Sequence, residues 1–324
     1  MIQLGIAGSA LATMPLRSFA QQGAYPNRGL RIVVPYAAGG ATDATGRLIA
    51  ERLAKSLGQS VVIDNKTGGA GSIGTAEVAR APADGYTLLY SLTDPLINNT
   101  VLIKGLPYDP ARDFRFVASI LRSPALISVP ASLGVRSFAE FKAFAATAGR
   151  QVTYATWGMG SLGHMAGEAL AKELRFNAVH VAQRGEAPVL QDLLSNTVTC
   201  GWTSAGTAKP HVQGGKIVPL AMMGRTRSSA LPDVPTLREL GVTDSIHDRS
   251  VWMAFMVPKA TPDAIVARLS TEIQTIANSP EVLSVIRERG LEPIVGGAEQ
   301  AQAAYNEEFP AITRRLRDLN IEPS

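Results

Sequence analysis

The chain has 324 residues, 46% hydrophobic and 18% charged, a balance that fits a folded globular protein and excludes a disordered one. That length exceeds one ordinary core and suits two domains of roughly 150 residues each. Its 31 basic and 27 acidic residues leave a net charge of +4 with no run of like sign, so the concentrated basic face of a nucleic-acid binder is missing.

Residues 2–14 are apolar and rich in small side chains, and Ser18-Phe19-Ala20 offers small residues at the two positions a signal peptidase reads. Residues 1–20 therefore read as a signal peptide, too short to span a bilayer, although no Lys or Arg precedes the apolar run and Arg17 follows it. A buried N-terminal strand or helix is the competing reading. Strands and helices then alternate. Residues 30–34 form a β-branched run that predicts a strand. Residues 42–57 carry Leu48, Ile49, Leu53 and Leu57 at helical spacing, and Gly58 ends that helix. Strands are expected over 61–63, 86–90, 116–120 and 125–129, and a helix over 137–148. The scheme repeats with strand 152–155, helix 161–174, strand 178–181 and helix 187–194, then strands 198–202 and 218–222 around a helix near Lys209. Residues 252–257 read as a strand, and 262–278, 280–289 and 299–319 as helices, the last kinked or divided by Pro310. Alternation of this kind predicts an α/β protein with parallel or mixed sheets flanked by helices.

Cys200 is the only cysteine, which rules out an intramolecular disulfide; its strand setting marks it as a small core residue. The four histidines, His164, His180, His211 and His247, are scattered, so no metal and no cofactor is expected. Three corners between a strand and a helix stand out: 35–43 with Gly39 and Gly40, 91–95, and 156–161 with Gly158 and Gly160. In open α/β sheets, ligands sit beyond the carboxyl ends of the strands, where free amides at helix N-termini favour an anion. One such corner is an ordinary turn; three together point modestly to a small-anion site. At the second corner, Thr93 or Asp94 is placed to cap the helix that Pro95 starts.

Two other motifs are weaker. Residues 69–74 fit G-x-G-x-x-G with Asp94 at a plausible distance for a ribose contact, but four residues separate those glycines from the strand, and Pro82 cuts the following helix short. Ser161 lies between Gly160 and Gly163, yet Met159 stands where a hydrolase elbow needs glycine. A secreted serine hydrolase using Ser161 remains the alternative from another class. Ser161 reads better as a helix cap or a hydroxyl donor to ligand.

Across its length from about Tyr25, the sequence resembles the Bug-type substrate-binding proteins of tripartite tricarboxylate transporters. The resemblance rests on Tyr25-Pro26, Arg31 to Tyr36, Gly39 to Asp43, Leu57-Gly58-Gln59, Gly68 to Gly74, Asp84 to Leu89 and Leu106 to Pro110. It continues through Tyr154-Ala155, Gly158, Gly160-Ser161, His164, Gly185, Ala187-Pro188 and Leu231 to Thr236. It implies a two-lobed periplasmic-binding-protein (Venus flytrap) fold, each lobe a mixed sheet flanked by helices. Lobe 1 would comprise residues 24–124 and 250–324, and lobe 2 the inserted residues 125–249, with a hinge at the crossings near Ser123-Pro124 and Arg249-Ser250. The resemblance further implies a periplasmic receptor, not an enzyme. It would be a monomer that passes a small carboxylate to membrane permease subunits; the same fold also serves receptors that report to a signalling protein. Carried across, Tyr36, Ala38, Gly39, Gly40, Thr42, Asp43, Ser91 and Thr93 line the first lobe, and Thr156, Trp157, Gly158, Gly160, Ser161, Gln183 and Thr203 face them. For Asp43, a first-turn acid that stabilises its own helix is an equal reading.

The chain departs from the family pattern at Ala182-Gln183-Arg184-Gly185, where Pro-Tyr-Lys-Gly is common, at Trp157, where a small residue is usual, and at Thr203, where an acid is common. Loss of that acid argues weakly against an amino-acid ligand. Tyr36, Trp157 and Trp202 supply flat surface for an aromatic or extended carboxylate. Equally, Trp202 is core and Trp157 only shields the cleft.

Overall fold

The computed structural model describes residues 25–319, so the leader expected over residues 1–20 lies outside the described part. Eleven strands are present among the described residues: β1 (Leu30–Val34), β2 (Val61–Asn65), β3 (Thr87–Leu92), β4 (Phe114–Ser123), β5 (Ala125–Pro130), β6 (Gln151–Thr156), β7 (Asn177–Ala182), β8 (Cys200–Ser204), β9 (Ile217–Met222), β10 (Val251–Pro258) and β11 (Glu292–Gly297). They form two sheets, ordered β11-β4-β10-β3-β1-β2 and β7-β6-β8-β5-β9. Both are mixed. β1 runs parallel to β2 and β3, while β10 runs antiparallel to β3 and β4. In the second sheet β6 is parallel to β7 and β8, and β5 is antiparallel to β8 and β9. The chain leaves the first sheet at Pro124 and re-enters it with β10 after β9 is complete.

Local chemistry accounts for this layout. β10 is a continuous buried run, Val251–Pro258, as a strand covered on both faces must be, and its Phe255 stacks on Tyr90 of β3 at 4.3 Å. Helix Ala41–Leu57 carries the chain from β1 back to the parallel β2, burying Ile49, Ala50 and Leu53 against the sheet and ending at Gly58 in the left-handed region (φ 65°). Helix Leu162–Leu174 does the same between β6 and β7, and Glu186–Ser195 between β7 and β8. Trp202 and Cys200 are core residues, 0% and 2% exposed. Burial pushes the Cys200 thiol up to about 12, which removes it as a nucleophile.

Two features differ from the sequence expectations. Glu292–Gly297 is a strand on the sheet edge, although Pro293 and two glycines give it poor strand propensity; its ladder with β4 is irregular between Pro293 and Gly296. Helix Ala298–Asp318 is not divided at Pro310; the packing of Tyr305, Ile312 and Leu316 into the core carries it through the missing N–H. No helix among the described residues is long and apolar enough to cross a membrane.

Candidate solute site between the sheets

The carboxyl ends of β3, β6 and β8 and the start of helix Ala41–Leu57 converge on a cavity between the two sheets. Tyr36, Gly40, Thr42, Asp43, Leu92, Ser123 and Met253 wall it from the first sheet's side, and Trp157, Glu186, Thr203 and Ser204 from the second. No Lys, Arg or His is among its lining residues. A second cavity beside it is lined by Tyr36, Trp157, Gly158 and Gln183 together with the 67–71 loop.

The corners meet because loops from one sheet bond to loops from the other. The Ala37 amide donates to the Arg184 carbonyl at 3.0 Å, and Asn98 Nδ2 donates to the Gly160 carbonyl at 2.7 Å. Trp157 Nε1 and the Leu162 amide both donate to Asp94 Oδ2, at 2.9 and 3.3 Å. The Ala41 amide donates to Glu186 Oε2 at 2.8 Å, and the Ser204 amide donates to Glu186 Oε1. Gly185 makes one of these close approaches. Its φ is 131° and a Cβ there would stand 2.9 Å from the Ala37 nitrogen, so only glycine lets the two loops touch.

Of the sequence-selected residues, Tyr36, Gly40, Thr42, Asp43, Trp157 and Thr203 line the first cavity. Gly158 and Gln183 line the neighbouring one, and the Gln183 amide donates to Asp192 at 2.6 Å. Ala38 and Gly39 sit exposed at the turn; Gly39, in the left-handed region (φ 89°), donates its amide to Asp43 Oδ2 at 3.0 Å. Asp43 is bound up in its own corner by Arg47 and Asn65. Burial works against ionisation, but Arg47, the Gly39 amide and Asn65 together hold the carboxyl below its usual range. Ser91 and Thr93 lie buried beneath the corner, outside both sets of lining residues. The Tyr36 hydroxyl, which Ser91 and Asp94 both influence, completes no hydrogen bond; burial raises it well above the ordinary tyrosine value. Thr203 Oγ1 is likewise buried without a partner.

Thr156, Gly160 and Ser161 serve the third corner itself. Ser161 Oγ accepts from the His164 amide at 3.2 Å and donates to Thr156 Oγ1 at 3.3 Å, capping helix Leu162–Leu174. His164 Nδ1 is taken by the Gly160 amide at 2.9 Å, so the nearest imidazole in sequence is not a base for this serine. Ser161→Ala is expected to cost about 1 kcal/mol in a urea unfolding experiment, the ordinary value of a lost N-cap. The sequence pattern overlooked Glu186, Ser123, Ser204 and Met253. Glu186 offered only the signal of an acid in a helix first turn.

A model of the tripartite tricarboxylate transporter family receptor matches residues 45–320. The chain belongs to that receptor family. Protein BugT of Bordetella pertussis (strain Tohama I / ATCC BAA-589 / NCTC 13251) is 30% identical, covering 98% of each chain. Among solved structures, R. palustris Rpa4515 with adipate shares 34% identity with a TM-score of 0.88, covering 93% of this chain and 100% of that one. The periplasmic binding protein BugD shares 28% at 0.87, covering 93% and 100%. MatC from Rhodopseudomonas palustris with bound malate shares 28% at 0.82, covering 90% and 100%. The receptor is thus a solute-binding protein of the periplasmic-binding-protein fold, not an enzyme, and the serine-hydrolase reading of Ser161 falls with the family and with the cap geometry. Its two mixed sheets flanked by helices are the two lobes that the sequence led one to expect.

Proposed function

We propose that the receptor works in the periplasm after removal of its leader, as a monomer. It closes its lobes on a small carboxylate solute with an aromatic or extended apolar body and passes it to the membrane permease subunits of a tripartite tricarboxylate transporter. The observation that supports this most is the composition of the cavity. Tyr36, Leu92, Trp157, Val251 and Met253 give it flat and apolar walls, while hydroxyls and the amides opening helix Ala41–Leu57 are its donors. The amides of Thr42 and Asp43 have no acceptor inside their helix, and a carboxylate suits them. The relatives Rpa4515 and MatC, solved with adipate and malate, support the carboxylate class. The crossings near Ser123-Pro124 and Arg249-Ser250 are the proposed hinge, with residues 24–124 and 250–324 in one lobe and 125–249 in the other.

The test is a thermal-shift and calorimetric panel on the receptor with benzoate, phenylacetate, adipate, malate and citrate. A solute at 100 times its Kd should add about 2.7 kcal/mol to stability without being consumed. Failure of every acid to bind would refute the carboxylate class, and tight binding confined to the aliphatic di- and tricarboxylates would refute the aromatic preference.

A further inference from the structure

The cavity already contains a carboxylate, and it belongs to the protein. Glu186, at the first position of helix Glu186–Ser195, lines the cavity with one oxygen on the Ala41 amide of the first lobe at 2.8 Å and the other on the Ser204 amide of the second. Ala41 opens a 17-residue helix and Ser204 is the N-cap of helix Ala205–Gln213, so both amides lie where helix dipoles favour negative charge. Glu186 forms no ion pair with any Lys, Arg or His among the described residues. Its partners are the two amides, one from each lobe. Beside them Thr203 Oγ1, on a residue 0% exposed, lines the same cavity and has no partner. That unsatisfied hydroxyl is an unfilled polar position in the same cavity as the carboxylate Glu186 supplies.

We infer that Glu186 is a tethered competitor for the solute: its carboxylate occupies the subsite formed by the Ala41 and Ser204 amides, and a solute carboxylate enters by displacing it and completing the Thr203 hydrogen bond. The inference rests on the reading that this cavity takes a carboxylate. Two carboxylates cannot share these amides, because adjacent like charges repel and each amide has one proton to give. Glu186 is half-buried on a flexible stem, so rotation toward solvent frees the subsite. Until then it joins the lobes as a solute would, and the unliganded receptor is held closed. Solute affinity is lowered by the fraction of molecules with the latch engaged.

The experiment compares the receptor with Glu186→Ala and Glu186→Gln by titration calorimetry with benzoate and adipate, and by melting in formate. Glu186→Ala should tighten the Kd of whichever acid binds by about tenfold or more, and Glu186→Gln, which keeps the shape and loses the charge, by a smaller factor. Formate at tens of millimolar concentration should raise the melting temperature of Glu186→Ala and leave the unaltered receptor unmoved, because it fills the vacated subsite. Unchanged or weaker acid binding in Glu186→Ala overturns the latch while leaving the carboxylate reading intact. If neither protein binds any acid, both the latch and the carboxylate reading fall.

Discussion

Lowering the pH from 7 to 5 should cost this receptor about 4 kcal/mol of stability, roughly 10 °C in melting temperature for a chain of this size. Three histidines are responsible, His164 and His247 buried and His180 half-buried. His164 and His180 stack ring on ring at 3.8 Å, His164 accepting from the Gly160 amide and His180 sharing a hydrogen bond with Thr156 at 2.7 Å. Burial lowers His164 to about 4; burial, with His164 adding to it, lowers His180 to about 3. His247, whose two ring nitrogens have no partner, is lowered by burial to about 4, with Arg315 adding to it and Asp244, Glu173 and Asp248 opposing. Each folded value lies below that of the unfolded chain, so the stability is fully present above about pH 6.5 and is lost as pH falls toward 4 and, for His180, toward 3. By pH 5 each ring forgoes about 2 kcal/mol, somewhat less for the partly exposed His180. Asp94 works in the opposite direction: burial raises it to about 6 against its Trp157, Leu162 and Asn98 hydrogen bonds, so acid relieves about 1 kcal/mol of strain there. Urea unfolding at pH 7, 6 and 5 measures the balance. His164→Asn, which keeps an acceptor for the Gly160 amide, should flatten the profile. A stability that rises toward pH 5 would contradict the assignment.

Those histidines are also a measure of what the sequence carried. His164 and His180 are 16 positions apart and looked scattered, because pairing β6 with β7 and folding helix Leu162–Leu174 over them is a tertiary event. The fold class was legible, since β-branched runs alternating with helical spacing and glycine stops dictate covered mixed sheets whatever the contacts. Tyr36, Gly40, Thr42 and Trp157 were legible as neighbours of a cavity through the loop chemistry of the corners, and Thr203 only through the family resemblance. Asp94 was not. Local spacing makes it a helix cap or a ribose contact, yet Thr93 is the N-cap position and makes no side-chain cap. The Asp94 carboxylate instead accepts from Leu162 and Trp157, more than sixty residues away. Glu186 escaped for the same reason: nothing within its own turn announces Ala41, 145 positions earlier in the chain. Residues whose partners lie across the cleft are silent in a one-dimensional reading.

Trp157 joins these threads, and Trp157→Ala is expected to destabilise the receptor by about 4 kcal/mol, the usual loss for a truncated buried tryptophan. The ring is 7% exposed and forms part of the cavity wall with Tyr36. It also reaches back under helix Leu162–Leu174, where a Cβ on Gly163 would stand 2.9 Å from its Cζ3. Its Nε1–H is one of three donors to the buried Asp94 carboxylate, all of which hold that group down against burial. Truncation therefore removes packing, opens a void at the cavity and leaves a buried charge with one donor fewer. Trp157→Phe separates these effects. It keeps most of the ring and deletes only the N–H, so about 1–2 kcal/mol should be lost, with Asp94 pushed further up. If the aromatic wall selects the solute, phenylalanine should retain most of the benzoate affinity and alanine should lose about tenfold, while adipate binding changes less. Equal losses for both acids in Trp157→Ala would assign the residue to lobe closure through Asp94 rather than to recognition. Denaturation and calorimetry on the same two variants decide between wall and strut.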